Sequence, residues 1–258
     1  MDLKLTGKTV LITGGSKGIG RAAADLLAAE GCHLVLVARN AATLDLARSE
    51  LVRTANVRVD VVAADLSVSA EVGHLAARFP DIDILVNNAG AIPGGDLIEI
   101  DEATWRAAWD LKVFGYINMC RAFYALMAAR GAGVIINVIG AAALTRDPDY
   151  ICGATGNAAL VAFTQSLGSV SVRAGVRVVG INPGPVATDR LVTLYRKKAQ
   201  ARGLDPDSWR ELVKPLPFAR AASPQEIAAA VAFLASEQSG YTSGSVIAID
   251  AGAGARSS

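Results

Sequence analysis

With 258 residues, 52% of them hydrophobic, the chain has enough apolar side chain to bury one large core, and a single α/β domain is the expected outcome. Only 5% of residues are aromatic, and the excess of Ala, Val, Leu, Ile and Gly fits helices packed on both faces of a buried parallel sheet. A formal net charge of +1 excludes the dense basic surface that binding to nucleic acid or an anionic membrane selects for.

In chain order, KTVLIT (8–13) reads as the first strand, and a helix over 18–30 follows a glycine-rich turn. HLVLVA (33–38) is the second strand, followed by a helix at 41–54. VRVDVVAA (57–64) and a helix at 68–79 come next, then DILVNN (83–88) and a long helix over 102–129. GVIINVI (133–139), a helix over 153–173 and VRVVGIN (176–182) continue the alternation, which a helix over 223–236 and SVIAID (245–250) complete. Seven short β-branched runs alternating with segments of helical apolar spacing predict βαβ units in one parallel sheet. No repeat, charge block or low-complexity tract breaks the pattern, so residues 1–258 are expected to form one domain. The exception is 189–220, more polar and charged and carrying Trp209. A long insertion after a strand end suits a lid over a site.

The start of the chain lacks a basic stretch followed by an apolar run, and no apolar run reaches membrane-spanning length. Cys32, Cys120 and Cys152 lie far apart in apolar or small-residue surroundings. They suggest neither a disulfide framework nor a metal site, and a reducing cytoplasm is expected. His33 and His74 fall in a strand and a crossover helix, away from any cluster of metal ligands.

LITGGSKGIGRAAADLLAAEG is a strand, a glycine turn and a helix. Gly14, Gly18 and Gly20 in the pattern GxxxGxG let backbone N–H groups and a helix N-terminus approach a pyrophosphate. Together with NNAG (87–90) and INPGPVATD (181–189), this run resembles the short-chain dehydrogenase/reductase family over essentially the whole chain. The resemblance implies a doubly wound Rossmann fold, a nicotinamide cofactor, a small-molecule substrate and a homo-oligomer, dimer or tetramer. It would place Gly14, Ser16, Lys17, Gly18, Ile19 and Gly20 against the cofactor. Asp65 and Leu66 would lie at the adenine, Asn88, Ala89 and Gly90 along the cradle, and Pro183, Gly184, Val186 and Thr188 at the nicotinamide end. Asp65 also reads as an N-cap of the following helix. The end of the second strand carries Ala38 and Arg39 where an acidic residue would select the unphosphorylated ribose, and Lys17 adds a second cation nearby. A guanidinium with an ammonium makes a phosphate clamp, so NADP(H) is expected in preference to NAD(H).

The catalytic set is a different matter. NAALVAFTQSLG resembles the family's KAALxxFTxSLA, which puts Asn157 at the lysine and Gly153 at the proton-donating tyrosine. IINVIG puts Gly140 at the serine, and KVFG puts Lys112 at the asparagine. The Lys/Asn pair is swapped, and a buried Lys112 held by Asn157 would serve as acid or base after a lowered pKa. Tyr150, one turn before Gly153, would present a phenol from a shifted direction or else form the substrate wall. Two main readings and a weaker third stay open at this point. One is an NADP(H)-dependent oxidoreductase of small apolar or aromatic carbonyls and alcohols, using Lys112, Tyr150 and Asn157. The other is a dinucleotide-binding protein without hydride transfer, a partner subunit or redox sensor. A base-catalysed elimination or isomerisation through Lys112 is a third.

Overall fold

The β-branched runs form strands and the intervening runs form helices, in the order β1 (Thr9–Thr13), α1 (Gly18–Ala29), β2 (His33–Ala38), α2 (Ala41–Thr54), β3 (Val59–Ala63), α3 (Ser69–Arg78) and β4 (Ile84–Asn87). After these come α4 (Glu102–Trp109), α5 (Gly115–Arg130), β5 (Gly133–Val138), α6 (Ala142–Thr145), α7 (Ile151–Ser171), β6 (Val176–Pro183), α8 (Asp189–Ala201), α9 (Pro224–Ala235) and β7 (Val246–Ile249). The computed structural model describes residues 1–256. All seven strands are parallel, in the spatial order β3-β2-β1-β4-β5-β6-β7. This is the doubly wound fold, single-domain and α/β.

Strand periodicity divides the core into two layers. Val10 and Ile12 of β1 pack with α1 and α9 on one face, while Leu11 packs with α3 and α5 residues on the other. Both faces are covered, which is why the strands are almost wholly apolar. The order of the strands reverses between β1 and β4, and a ligand crevice opens at such a switch point, beyond the carboxyl ends of the strands.

Two expected elements differ in detail. The helix over 102–129 is interrupted by a π-helical turn, Asp110–Phe114, between α4 and α5. The wider i→i+5 turn changes the face presented by the residues within it, and here it buries Lys112 and Val113. The helix expected from 153 begins two residues earlier, with Tyr150 at its N-cap position (φ −140°, ψ 36°) and no side-chain cap. The segment 189–220 carries α8 and short 3-10 turns at Pro206–Leu212 and Pro217–Ala219.

Candidate active site

A cleft of about 880 Å³ lies over the carboxyl ends of β1, β4, β5 and β6. Its first wall is backbone. Gly14 and Gly18 have positive φ (66° and 56°), which a side chain would strain. A Cβ on Gly20 would overlap the Gly14 carbonyl, and one on Gly14 would lie 2.9 Å from Asn88 Nδ2. Lys17 provides no side-chain cap to α1, so the first-turn N–H groups of that helix are open to an anion. Asn88 shapes the turn from behind: its Nδ2 donates to the carbonyls of Thr13 (3.0 Å) and Gly14 (3.3 Å). The Thr13 hydroxyl in turn accepts from the backbone N–H groups of Asn88 and Ala89. Thr13 was not among the expected site residues, yet it ties β1 to β4 at the base of the cradle.

Of the expected cofactor residues, Gly14, Lys17, Gly18, Ile19, Asn88, Ala89, Gly90, Pro183, Gly184, Val186 and Thr188 line the cleft. Ser16, Gly20, Arg39, Asp65 and Leu66 do not. Gly20 lies behind the turn, and Leu66 is buried at 4% exposure. Arg39 is exposed at the end of β2, where no acidic residue stands. The expectation that Asp65 caps α3 is corrected, because Val68 occupies the N-cap position. Asp65 Oδ1 instead accepts from Ser67 N (3.0 Å) and Ser67 Oγ (2.8 Å), the geometry of an Asx turn. Those two bonds, with help from Arg39, hold its carboxyl below the usual range. A dinucleotide fits this wall, since the glycines at 14 and 18 present bare backbone to the cleft and the helix N-terminus is uncapped.

The opposite wall is built from side chains. Lys112 is 7% exposed, and its Nζ donates to Tyr116 Oη (3.0 Å), Val138 O (2.9 Å) and Ile139 O (3.1 Å). Three oxygens for three N–H groups satisfy an ammonium completely. Tyr116 meanwhile donates to Val138 O at 2.8 Å. A neutral amine at Lys112 would also be satisfied, because the Tyr116 hydroxyl hydrogen need only rotate toward Nζ. Burial first, and the charge of Arg190 second, lower the Lys112 pKa to about 7. The same burial pushes the Tyr116 phenol well above its ordinary value.

The expected Lys112–Asn157 contact does not form. Asn157 is 4% exposed, and its Oδ1 has no hydrogen-bond partner. Its Nδ2 faces Gly140 instead, 2.9 Å from where a Cβ at 140 would stand. The carbonyls of Val138 and Ile139 and the Tyr116 hydroxyl hold the Lys112 amine in its place.

Tyr150 supplies the second change. A Cβ at Gly153 would overlap the Tyr150 ring, so the glycine is the space that the phenol fills. The ring packs with Ile92, Cys152, Trp105 and Trp109 and lines the cleft. Burial raises its pKa, and Arg190 works against that rise. The loop after β4 is pinned beside it, with Gly95 N donating to Asp149 O at 2.8 Å. Arg190, at the start of α8, donates to Tyr150 Oη at 3.0 Å.

Tyr116 and Arg190 were not anticipated. Tyr116 was legible as the i+4 neighbour of Lys112. Arg190 had been absorbed into the expected lid. That lid contributes Leu191, Leu194, Tyr195 and Leu216 to the cleft, whereas Trp209 lies outside it under the Arg210 guanidinium, 4.7 Å from its ring centroid. Ile139 and Ala141 line the mouth of the cleft, and Leu144 packs toward Gly254.

The profile of the family described as short chain dehydrogenase matches residues 8–199, and the chain belongs to that family of oxidoreductases. It is 32% identical over 251 residues to galactitol 2-dehydrogenase (L-tagatose-forming) of Cereibacter sphaeroides, covering 96% of each chain. It is 35% identical over 255 residues to oxidoreductase UcpA of Salmonella typhimurium, covering 96% of this chain and 95% of the other. Among solved structures, L-sorbose reductase from Gluconobacter frateurii, complexed with NADPH and L-sorbose, superposes with a TM-score of 0.88 at 33% identity. That match covers 97% of this chain and 98% of that one.

Proposed function

We propose that the protein is an NADP(H)-dependent oxidoreductase acting on a small, apolar or aromatic carbonyl or alcohol, with Tyr150 as its proton donor. The observation that carries this proposal is the Tyr150 ring, which fills the space left by Gly153 and faces the cleft. NADP(H), bound at the glycine turn, supplies or takes up the hydride. Arg39 and Lys17 form no ion pair with a carboxylate among the described residues and are free to meet a 2′-phosphate, which supports the phosphorylated cofactor. The NADPH in the L-sorbose reductase structure is consistent with that preference. Ile92, Ile139, Leu191, Leu194 and Leu216 give the pocket its apolar character.

The residues divide the work by chemistry. The Tyr150 hydroxyl gives its proton to the substrate oxygen in reduction and takes it back in oxidation. Lys112, poised near neutrality beneath the same cleft, supplies a positive field where negative charge develops. Asn157 offers an amide with no protein partner, which a ligand hydroxyl would satisfy.

The protein is expected to act in the cytoplasm as a homo-oligomer. Phe114, Val170 and Val172 are exposed on the α4–α5 and α7 side, and Tyr241 and Ile247 on the β7 edge, which supports burial of both surfaces between copies. No helix among the described residues is long and apolar enough to cross a membrane.

The test is carbonyl-dependent NADPH oxidation across a broad panel, in the wild type and in the Lys112→Ala, Tyr150→Phe double variant. Turnover in the wild type and its loss in the double variant are expected. Turnover that survives both substitutions removes the mechanism, and no turnover on any carbonyl favours a dinucleotide-binding protein without hydride transfer.

A further inference from the structure

Arg190 is placed as a working residue would be, yet nothing in the family match assigns it one. Its Nη1 donates to Gly90 O at 2.6 Å, and its Nη2 donates to Ile92 O at 3.2 Å and to Tyr150 Oη at 3.0 Å. Among the described residues no carboxylate pairs with it. The guanidinium thus enters the cleft with its charge uncompensated, fixed by two backbone carbonyls of the loop after β4. A planar donor fork held at two points fixes the third bond in direction.

The direction of that third bond decides its chemistry. The phenol oxygen of Tyr150 accepts from Arg190 and donates to no acceptor among the described residues, so its own hydrogen is left for a ligand. A cation donating to a phenol oxygen stabilises the phenolate more than the phenol. We propose that Arg190 is the cation that serves Tyr150, holding the ring over Gly153 and stabilising the phenolate left when the proton is transferred. The proposal rests on Tyr150 being the proton donor. It assigns to an arginine on α8 the part for which position 157 on α7 offers only an amide.

The step balances. The Tyr150 O–H bond breaks and an O–H bond forms on the substrate oxygen, while the hydride is the one attributed to NADP(H) above. The electron pair stays on the phenol oxygen beside the guanidinium, and a solvent proton restores the hydroxyl through the cleft. In this scheme Arg190 is a positioning residue, acting on the substrate through Tyr150.

Among the described residues, the groups around the ring leave Arg190 as its only cationic partner. Cys152 on α7 has a thiol that burial pushes up, and as a thiolate it opposes ionisation of the phenol. Trp105 and Trp109 bring no charge from α4. Asp149, the preceding residue, is exposed. Lys112, on the floor of the cleft, feels the charge of the same guanidinium.

The experiment follows the tyrosinate absorbance of the full-length protein against pH, with Tyr150 isolated by subtracting Tyr150→Phe. Arg190→Gln is expected to raise the proton affinity of Tyr150 by about tenfold, and Arg190→Lys to recover most of the wild-type titration. An unchanged Tyr150 titration in Arg190→Gln overturns the proposal, whatever the activity. A shifted titration in a protein that oxidises NADPH with no carbonyl keeps the pair and overturns the oxidoreductase function instead.

Discussion

The two walls of the cleft are made from different materials. At the β1–α1 end the ligand surface is backbone: glycines at 14 and 18 and an uncapped helix N-terminus, with Gly20 and Asn88 packed behind the turn. At the β5–α7 end the polar groups are long side chains that reach in from other elements. Lys112 comes from a π-helical turn, Tyr150 from the residue before α7, and Arg190 from the start of α8. The difference teaches how a site tolerates change. A backbone cradle depends on small residues at fixed positions, because any Cβ collides. A side-chain wall depends only on where the polar atoms end, so the same point in space is reachable from a neighbouring turn once a glycine vacates the path.

The predicted effects follow from that contrast. Gly153→Ala strikes the side-chain wall hardest, since a methyl group there takes the space of the Tyr150 ring. NADPH-dependent turnover is expected to fall by about a hundredfold or more, and unfolding experiments should show a loss of about 1–3 kcal/mol from overpacking. Unaltered kinetics in this variant would show that the ring position is incidental. Gly20→Ala is the matching blow to the backbone wall, because its Cβ would overlap the Gly14 carbonyl. Calorimetric titration should find NADPH binding lost with a comparable fall in stability, while the Tyr150 titration stays in place.

A smaller effect concerns Lys112. Its folded-state pKa is lowered from 10.5 to about 7, so between those values the unfolded chain binds the extra proton. Stability then rises with pH through that window, by up to about 1.4 kcal/mol per pH unit. Below pH 7 both states are protonated and the burial cost is constant. Lys112→Met should abolish the rise, as denaturant unfolding across pH 7 to 10 would reveal; an identical slope in the variant would refute the lowered pKa of Lys112. Smaller again is the effect of Arg39→Ala, which should reduce the preference for NADPH over NADH by about tenfold in binding titrations. It should leave carbonyl selectivity alone. Equal affinities for the two cofactors in the wild type would remove the phosphate-clamp argument.

Legibility in the sequence follows the same division. The glycine turn, the sheet and the NNAG and NPGPVATD segments were readable because strand period, helix period and turn chemistry are local properties of the chain. The register that sets Gly140, Gly153 and Asn157 against the family's catalytic positions is likewise a reading of spacing. The side chains that line the opposite wall were only partly legible. Lys112 and Tyr150 were recognised as residues that face the site, but the partner expected for Lys112 was Asn157, whereas the carbonyls of Val138 and Ile139 and the Tyr116 hydroxyl hold it. Backbone carbonyls carry no sequence signature, and the π-helical turn that turns Lys112 inward has none either. Arg190 was hidden for another reason: it is 40 residues from Tyr150 in the chain, and its neighbours are those of a polar, mobile-looking insertion.

The central claim is that Tyr150, displaced by one helical turn, gives its proton from above Gly153. A crystal structure with NADPH and a carbonyl ligand tests it most directly. The account predicts Tyr150 Oη within hydrogen-bond distance of the ligand oxygen, about 2.6–3.2 Å, with Arg190 still donating to the same phenol. A ligand oxygen bound by Lys112 or water alone, with the Tyr150 ring turned out of the cleft, would contradict it.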